Sequence, residues 1–90
     1  MDHKADWRID NCRSIEGETF RRKKYKARSE QWDHDHCMAC FAKFADFTGP
    51  DILHEGYTTT AESKWGEDYH WLCVECFGDL REAMAWREIP

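Results

Sequence analysis

No stretch of this 90-residue chain approaches the roughly 18 consecutive apolar residues that a membrane-spanning helix needs. Its first residues, Met1-Asp2-His3-Lys4-Ala5-Asp6, lack the basic-then-apolar pattern of a secretory signal. A cytoplasmic protein with no membrane partner is the resulting expectation. Glycine and proline are scarce, five and two, and the glycines stand singly, so there is no glycine-rich loop to cradle a phosphate. No Ser/His/Asp order suggests nucleophilic catalysis. Nor is there a net positive charge: the formal total is −5, which gives no global attraction to nucleic acid. Repeats, low-complexity tracts and long linkers are absent as well, and 90 residues suit one domain with a modest core.

Against that background the cysteines stand out. His36-Cys37-Met38-Ala39-Cys40-Phe41 and Leu72-Cys73-Val74-Glu75-Cys76-Phe77 are two Cys-x-x-Cys turns with 32 residues between them. Each turn brings two sulfurs to one point, and two turns supply the four soft donors that a tetrahedral zinc ion prefers. The spacing therefore predicts one structural zinc held by Cys37, Cys40, Cys73 and Cys76. A disulfide framework, a redox pair and four reduced core cysteines are the alternatives. The fifth cysteine, Cys12, reads as a small buried hydrophobe on a strand. An odd count of thiols suits a reducing compartment.

The aromatic content of 14%, five of the rings Trp, supplies bulk for a folded core. Residues 1–6 read as a flexible start. Residues 7–28 read as a β-hairpin, with strands over Ile9–Ile15 and Thr19–Arg28 about a turn at Glu16-Gly17-Glu18. The second strand carries Arg21, Arg22, Lys23, Lys24, Tyr25, Lys26 and Arg28. Such a run makes sense on an exposed edge, where lysines discourage aggregation, or against an acidic partner. Charge is segregated: residues 1–30 hold nine basic against six acidic side chains, and residues 31–90 hold four against twelve. Trp32 is expected beside the metal. Phe41, Phe44 and Phe47, spaced by three, predict a short helix ended by Thr48-Gly49-Pro50. Ile52–Ala61 and Tyr69–Leu72 read as a strand and its return, and Phe77, Leu80 and Met84 mark the inner stripe of a C-terminal helix that Trp86 clamps to the body.

A knuckle, a β-hairpin and a second knuckle whose last cysteine opens a helix together resemble a treble-clef zinc finger over about residues 34–88. The resemblance implies an α+β fold with the four cysteines as ligands, to which the N-terminal hairpin is an addition. It identifies a fold group and no single function. Asp33-His34-Asp35-His36 resembles the metal and base motif of HNH nucleases. Here, however, the string precedes both knuckles, and the last helix offers neither His nor Asn as the further ligand. His34, His36 and His70 are instead candidates for hydrogen bonding to the thiolates or for replacing one of them, and His54 reads as an ordinary hairpin residue. A closed four-sulfur site leaves no vertex for a substrate. The expectation is a non-enzymatic zinc-stabilised binding protein (an adaptor, an immunity-type protein or an inhibitor) with a protein partner. A nucleic-acid-binding finger that uses the basic segment 21–28, with Tyr25 as a stacking ring, comes next, and a nuclease last.

Overall fold

A computed structural model describes residues 7–27 and 29–90. The expectations for residues 1–6 and for Arg28 lie outside these residues. The chain forms α1 (Trp7–Asn11), a 3-10 turn (Arg13–Ile15), β1 (Thr19–Lys24), β2 (His34–His36), β3 (Lys43–Ala45), β4 (Ile52–Leu53), β5 (Glu55–Thr59), β6 (Trp71–Leu72), α2 (Val74–Met84) and β7 (Arg87–Ile89). The fold is α+β: one sheet has the order β6-β5-β1-β7, a second has the order β2-β3-β4, and α2 covers the first. No helix among the described residues is long and apolar enough to cross a membrane.

Residues 9–15 do not form the first strand of a hairpin. Ile9, Cys12 and Ile15 recur every third residue, and the backbone closes accordingly: Cys12 N–H donates to Ile9 O and Ile15 N–H to Cys12 O, both at 3.0 Å. Cys12 and Ile15 are both fully buried. Cys12 is thus the small buried hydrophobe expected, but on a helical turn. The turn at Gly17 does form, with φ of 76°, and its N–H donates to Met84 O at 2.8 Å.

β1 is not an edge. It pairs antiparallel with β5, Arg22 opposite Tyr57, and parallel with β7, Thr19 opposite Arg87. β7 exists because α2 stops early. Ala85 turns left-handed at φ 56°, and Trp86 N–H reaches back to Arg81 O at 3.1 Å, the hydrogen bond of a Schellman cap. Arg87 accordingly leaves the helix and enters the sheet.

The segment 41–47 holds the short strand β3 at its centre and no helix. Phe41 takes φ of 68° to close the first knuckle, a conformation that cannot start a right-handed helix. Phe44 turns inward while Phe41 and Phe47 stay exposed. Phe44 then stacks with Tyr25 and packs on Trp71, ring centroids 5.8 and 5.4 Å apart. Gly56 makes room for this cluster, since a Cβ there would lie 2.6 Å from Leu72 O and 2.7 Å from the Phe44 ring. A second aromatic cluster fills the space under α2. Tyr57 stacks on Phe77 at 3.8 Å, Phe77 on Trp86 at 5.7 Å, and Phe20 meets both edge-on. Trp86 is anchored by its Nε1–H, which donates to Ile15 O at 2.9 Å, so it clamps the chain end as expected.

Candidate metal centre

Backbone pairing brings the knuckles together before any sulfur is considered. Cys37 follows β2 directly and bridges Trp71 of β6, and Met38 N–H donates to Trp71 O at 2.9 Å. The first knuckle closes through Phe41 N–H to Cys37 O at 2.9 Å and Cys37 N–H to Ala42 O at 2.8 Å. In the second, Cys73 is the N-cap of α2 and its sulfur accepts from Cys76 N–H at 3.4 Å. The helix start therefore offers its partial positive charge to two sulfurs.

The four ligand atoms Cys37, Cys40, Cys73 and Cys76 Sγ lie within 4.8 Å of one another, and all four thiols are free of disulfides. Zinc–sulfur bonds of about 2.3 Å arranged as a tetrahedron have sulfur–sulfur edges of about 3.8 Å. Cys40 Sγ and Cys73 Sγ are separated by 3.8 Å. Three of the four cysteines are buried and Cys40 is partly so. The cluster is positioned to hold one metal ion.

Its electrostatics agree. Thiol hydrogen bonds from Cys73 and Cys76 hold the Cys37 thiol well below its ordinary pKa. The same contacts push Cys73 and Cys76 up, since each is held by its bond to Cys37. One thiolate forms readily, and like charge at this distance then opposes the others. A divalent cation reverses that opposition and lets all four ionise. Cys73 N–H to Cys37 Sγ at 3.3 Å and Arg8 Nη1 to Cys76 Sγ at 3.5 Å add donors suited to charged sulfur. Arg8 was not singled out in the sequence; it lies 68 residues from Cys76, beyond any local spacing signal.

None of the expected histidines joins the cluster. His34 Nδ1 pairs with Asp33 at 2.8 Å on the surface, and its ring meets that of His36 edge-on at 5.1 Å. The Asp33–His36 string, on β2 and its approach, offers no group of three or more metal donors among the described residues. Asp35 instead accepts from Tyr25 Oη at 2.8 Å and Trp32 Nε1 at 3.0 Å. Trp32 packs edge-on with Tyr69. His54 bonds Ala45 O at 3.0 Å.

His70 is half-buried between Trp65 and Tyr69, ring centroids 4.9 and 4.7 Å away. Its Nε2 is enclosed with no hydrogen-bond partner among the described residues. Burial holds the His70 pKa below its ordinary value, against weaker upward pulls from Asp35 and Glu18. The folded state thus prefers the neutral ring, and the unfolded chain takes up the proton first as pH falls. The contribution of His70 is complete above a pH of about 6.5 and is lost below it. His70→Asn is expected to flatten the decline of thermal midpoint on acidification relative to the parent. Parallel declines in the two proteins would contradict it. Metal release at low pH is common to both and cancels in the comparison.

Three cations of the basic segment, Arg21, Arg22 and Lys23, are engaged within the molecule. Arg22 Nε pairs with Glu55 at 2.7 Å and its guanidinium lies over the Tyr57 ring; Lys23 Nζ pairs with Asp68 at 3.0 Å; Arg21 Nε donates to Pro90 O at 3.0 Å. Lys24 and Lys26 remain exposed. Tyr25 is buried against Phe44 and Trp71. Burial, followed by the Asp35 carboxylate, pushes its phenol above the ordinary value. Tyr25 is therefore a core ring, unavailable for stacking on a base.

No protein-family model matches the chain, and no curated protein and no solved structure matches it significantly.

Proposed function

We propose that this is a non-enzymatic binding protein built on a treble-clef-type zinc site, with a protein as its partner. The observation that carries this reading is the closed set of four sulfurs at the junction of both sheets and α2. A site whose four positions are all filled by the chain supports structure and leaves no vertex for a reacting group. The β5–β6 hairpin leading into Cys73 and α2 supports the treble-clef assignment. Thiolate ligands and tetrahedral spacing favour zinc among the available metals.

The partner reading draws on the surface. Trp7 and Phe41 are 57% and 59% exposed and lie together beside the first knuckle. Phe41 holds a left-handed backbone at φ 68°, costly for a bulky residue. Exposed aromatic anchors of this kind are enriched where proteins bind proteins. Pairing of Arg22 and Lys23 with carboxylates weakens the nucleic-acid alternative.

Affinity isolation from native extract, run with the parent and with Phe41→Ser, tests the proposal. One protein retained stoichiometrically by the parent and lost with Phe41→Ser is the expected result. Oligonucleotide binding that weakens steeply with salt, and that Lys24→Glu and Lys26→Glu reduce, would replace this reading with the nucleic-acid one. Divalent-metal-dependent cleavage of nucleic acid abolished by His34→Ala or His36→Ala would replace it with the nuclease.

A further inference from the structure

α1 spans five residues and fully buries none of them, with Ile9 only partly covered by the core. A helix so short does not support itself in water. Its polar and ring contacts converge on the two knuckles. Arg8 Nη1 lies 3.5 Å from Cys76 Sγ and 3.1 Å from Asp79 Oδ2. Asn11 Nδ2 donates at 2.8 Å to the carbonyl of Ala39, between Cys37 and Cys40. The Trp7 ring sits 6.1 Å from that of Phe41, the residue closing the first knuckle.

We propose that Arg8 is an outer partner of the metal centre, and that docking of segment 7–11 and metal binding are thermodynamically coupled. The inference rests on the reading of the four cysteines as metal ligands. Four thiolates around a divalent cation leave a formal charge of −2 on the complex. The Arg8 side chain is 20% exposed, so the attraction of its permanent cation to that complex is only partly screened by water. Asp79 orients the guanidinium. The ion also fixes the two knuckles that Arg8, Asn11 and Trp7 contact, so the surface on which the segment docks is completed when the metal binds. Linkage requires reciprocity: whatever factor the docked segment adds to metal affinity, the metal adds to docking. Trp7, carried by the same segment, is then presented beside Phe41 in a metal-dependent way.

Zinc competition against a chromophoric chelator, together with amide hydrogen exchange, tests the coupling on the full chain. Removing an outer partner is expected to weaken zinc binding about tenfold or more in Arg8→Gln, with Arg8→Lys in between and Asp79→Asn less affected. In zinc-loaded Arg8→Gln the Cys12 amide, which bonds Ile9 O across α1, is expected to exchange faster while the amides of β5 keep their protection. Unchanged zinc affinity with unchanged Cys12 protection would overturn the proposal. A parent chain that binds no zinc would refute the underlying metal reading, an outcome distinct from zinc binding that is indifferent to Arg8.

Discussion

Chelating the metal is expected to unfold the protein, and adding zinc back is expected to refold it. A structural zinc site contributes on the order of 10 kcal/mol of apparent binding free energy, similar to the whole stability of an ordinary domain, about 5–15 kcal/mol. A chain of 90 residues buries a smaller fraction of its surface than a larger domain does. The position of the site raises the stake further. Cys37 follows β2 directly and bridges β6, Cys73 caps α2, and Cys76 lies in its first turn, so an ion held by these sulfurs would tie the second sheet, the first sheet and the helix at one point. Without it, four thiols whose ligand atoms lie within 4.8 Å of one another are left beside donors suited to charge. Cys37→Ser is expected to act in the same direction, because it removes the sulfur that accepts from Cys73 N–H and hydrogen-bonds two other thiols. Circular dichroism melts with and without chelator measure the effect. An unchanged thermal midpoint after metal removal would contradict it.

Trp71→Ala is expected to cost about 3–5 kcal/mol, the range for deleting a large buried ring. Trp71 is 2% exposed and packs against Tyr25 at 4.9 Å and Phe44 at 5.4 Å, so its ring joins β6 of the first sheet to β3 of the second. The neighbours cannot simply close in. Phe44 is confined by Gly56, and Tyr25 is tied by its hydroxyl to Asp35. Denaturant unfolding of the zinc-loaded variant should show the midpoint falling with little change of slope. A loss below about 1 kcal/mol would mean that the cluster relaxes into the space, as the mildest large-to-small substitutions do.

The cluster of four cysteines was legible because Cys-x-x-Cys is a local signal: four residues fix where two sulfurs go. The C-terminal helix was legible for a similar reason, since Phe77, Leu80 and Met84 lie on one stripe and all three are buried. What escaped was decided at long range or by backbone conformation. The spacing of Phe41, Phe44 and Phe47 suits a helix, yet the knuckle forces Phe41 left-handed and neighbouring strands claim the hydrogen bonds of β3. Ala85 ends α2 in a conformation usually given to glycine, so nothing in the sequence announced β7 or the consequence that β1 is an interior strand. The spacing of Ile9, Cys12 and Ile15 was a readable helical sign that the basic strand beside it overshadowed. Within the charge run, Arg22 and Lys23 find Glu55 and Asp68, 33 and 45 residues away and beyond any local spacing signal, while Lys24 and Lys26 stay exposed.

Elemental analysis combined with X-ray absorption at the metal edge tests the central claim most directly. The expected result is one zinc per chain with four sulfur neighbours at about 2.3 Å. A folded chain without bound metal, or a metal shell in which nitrogen or oxygen replaces any of the four sulfurs, would contradict it.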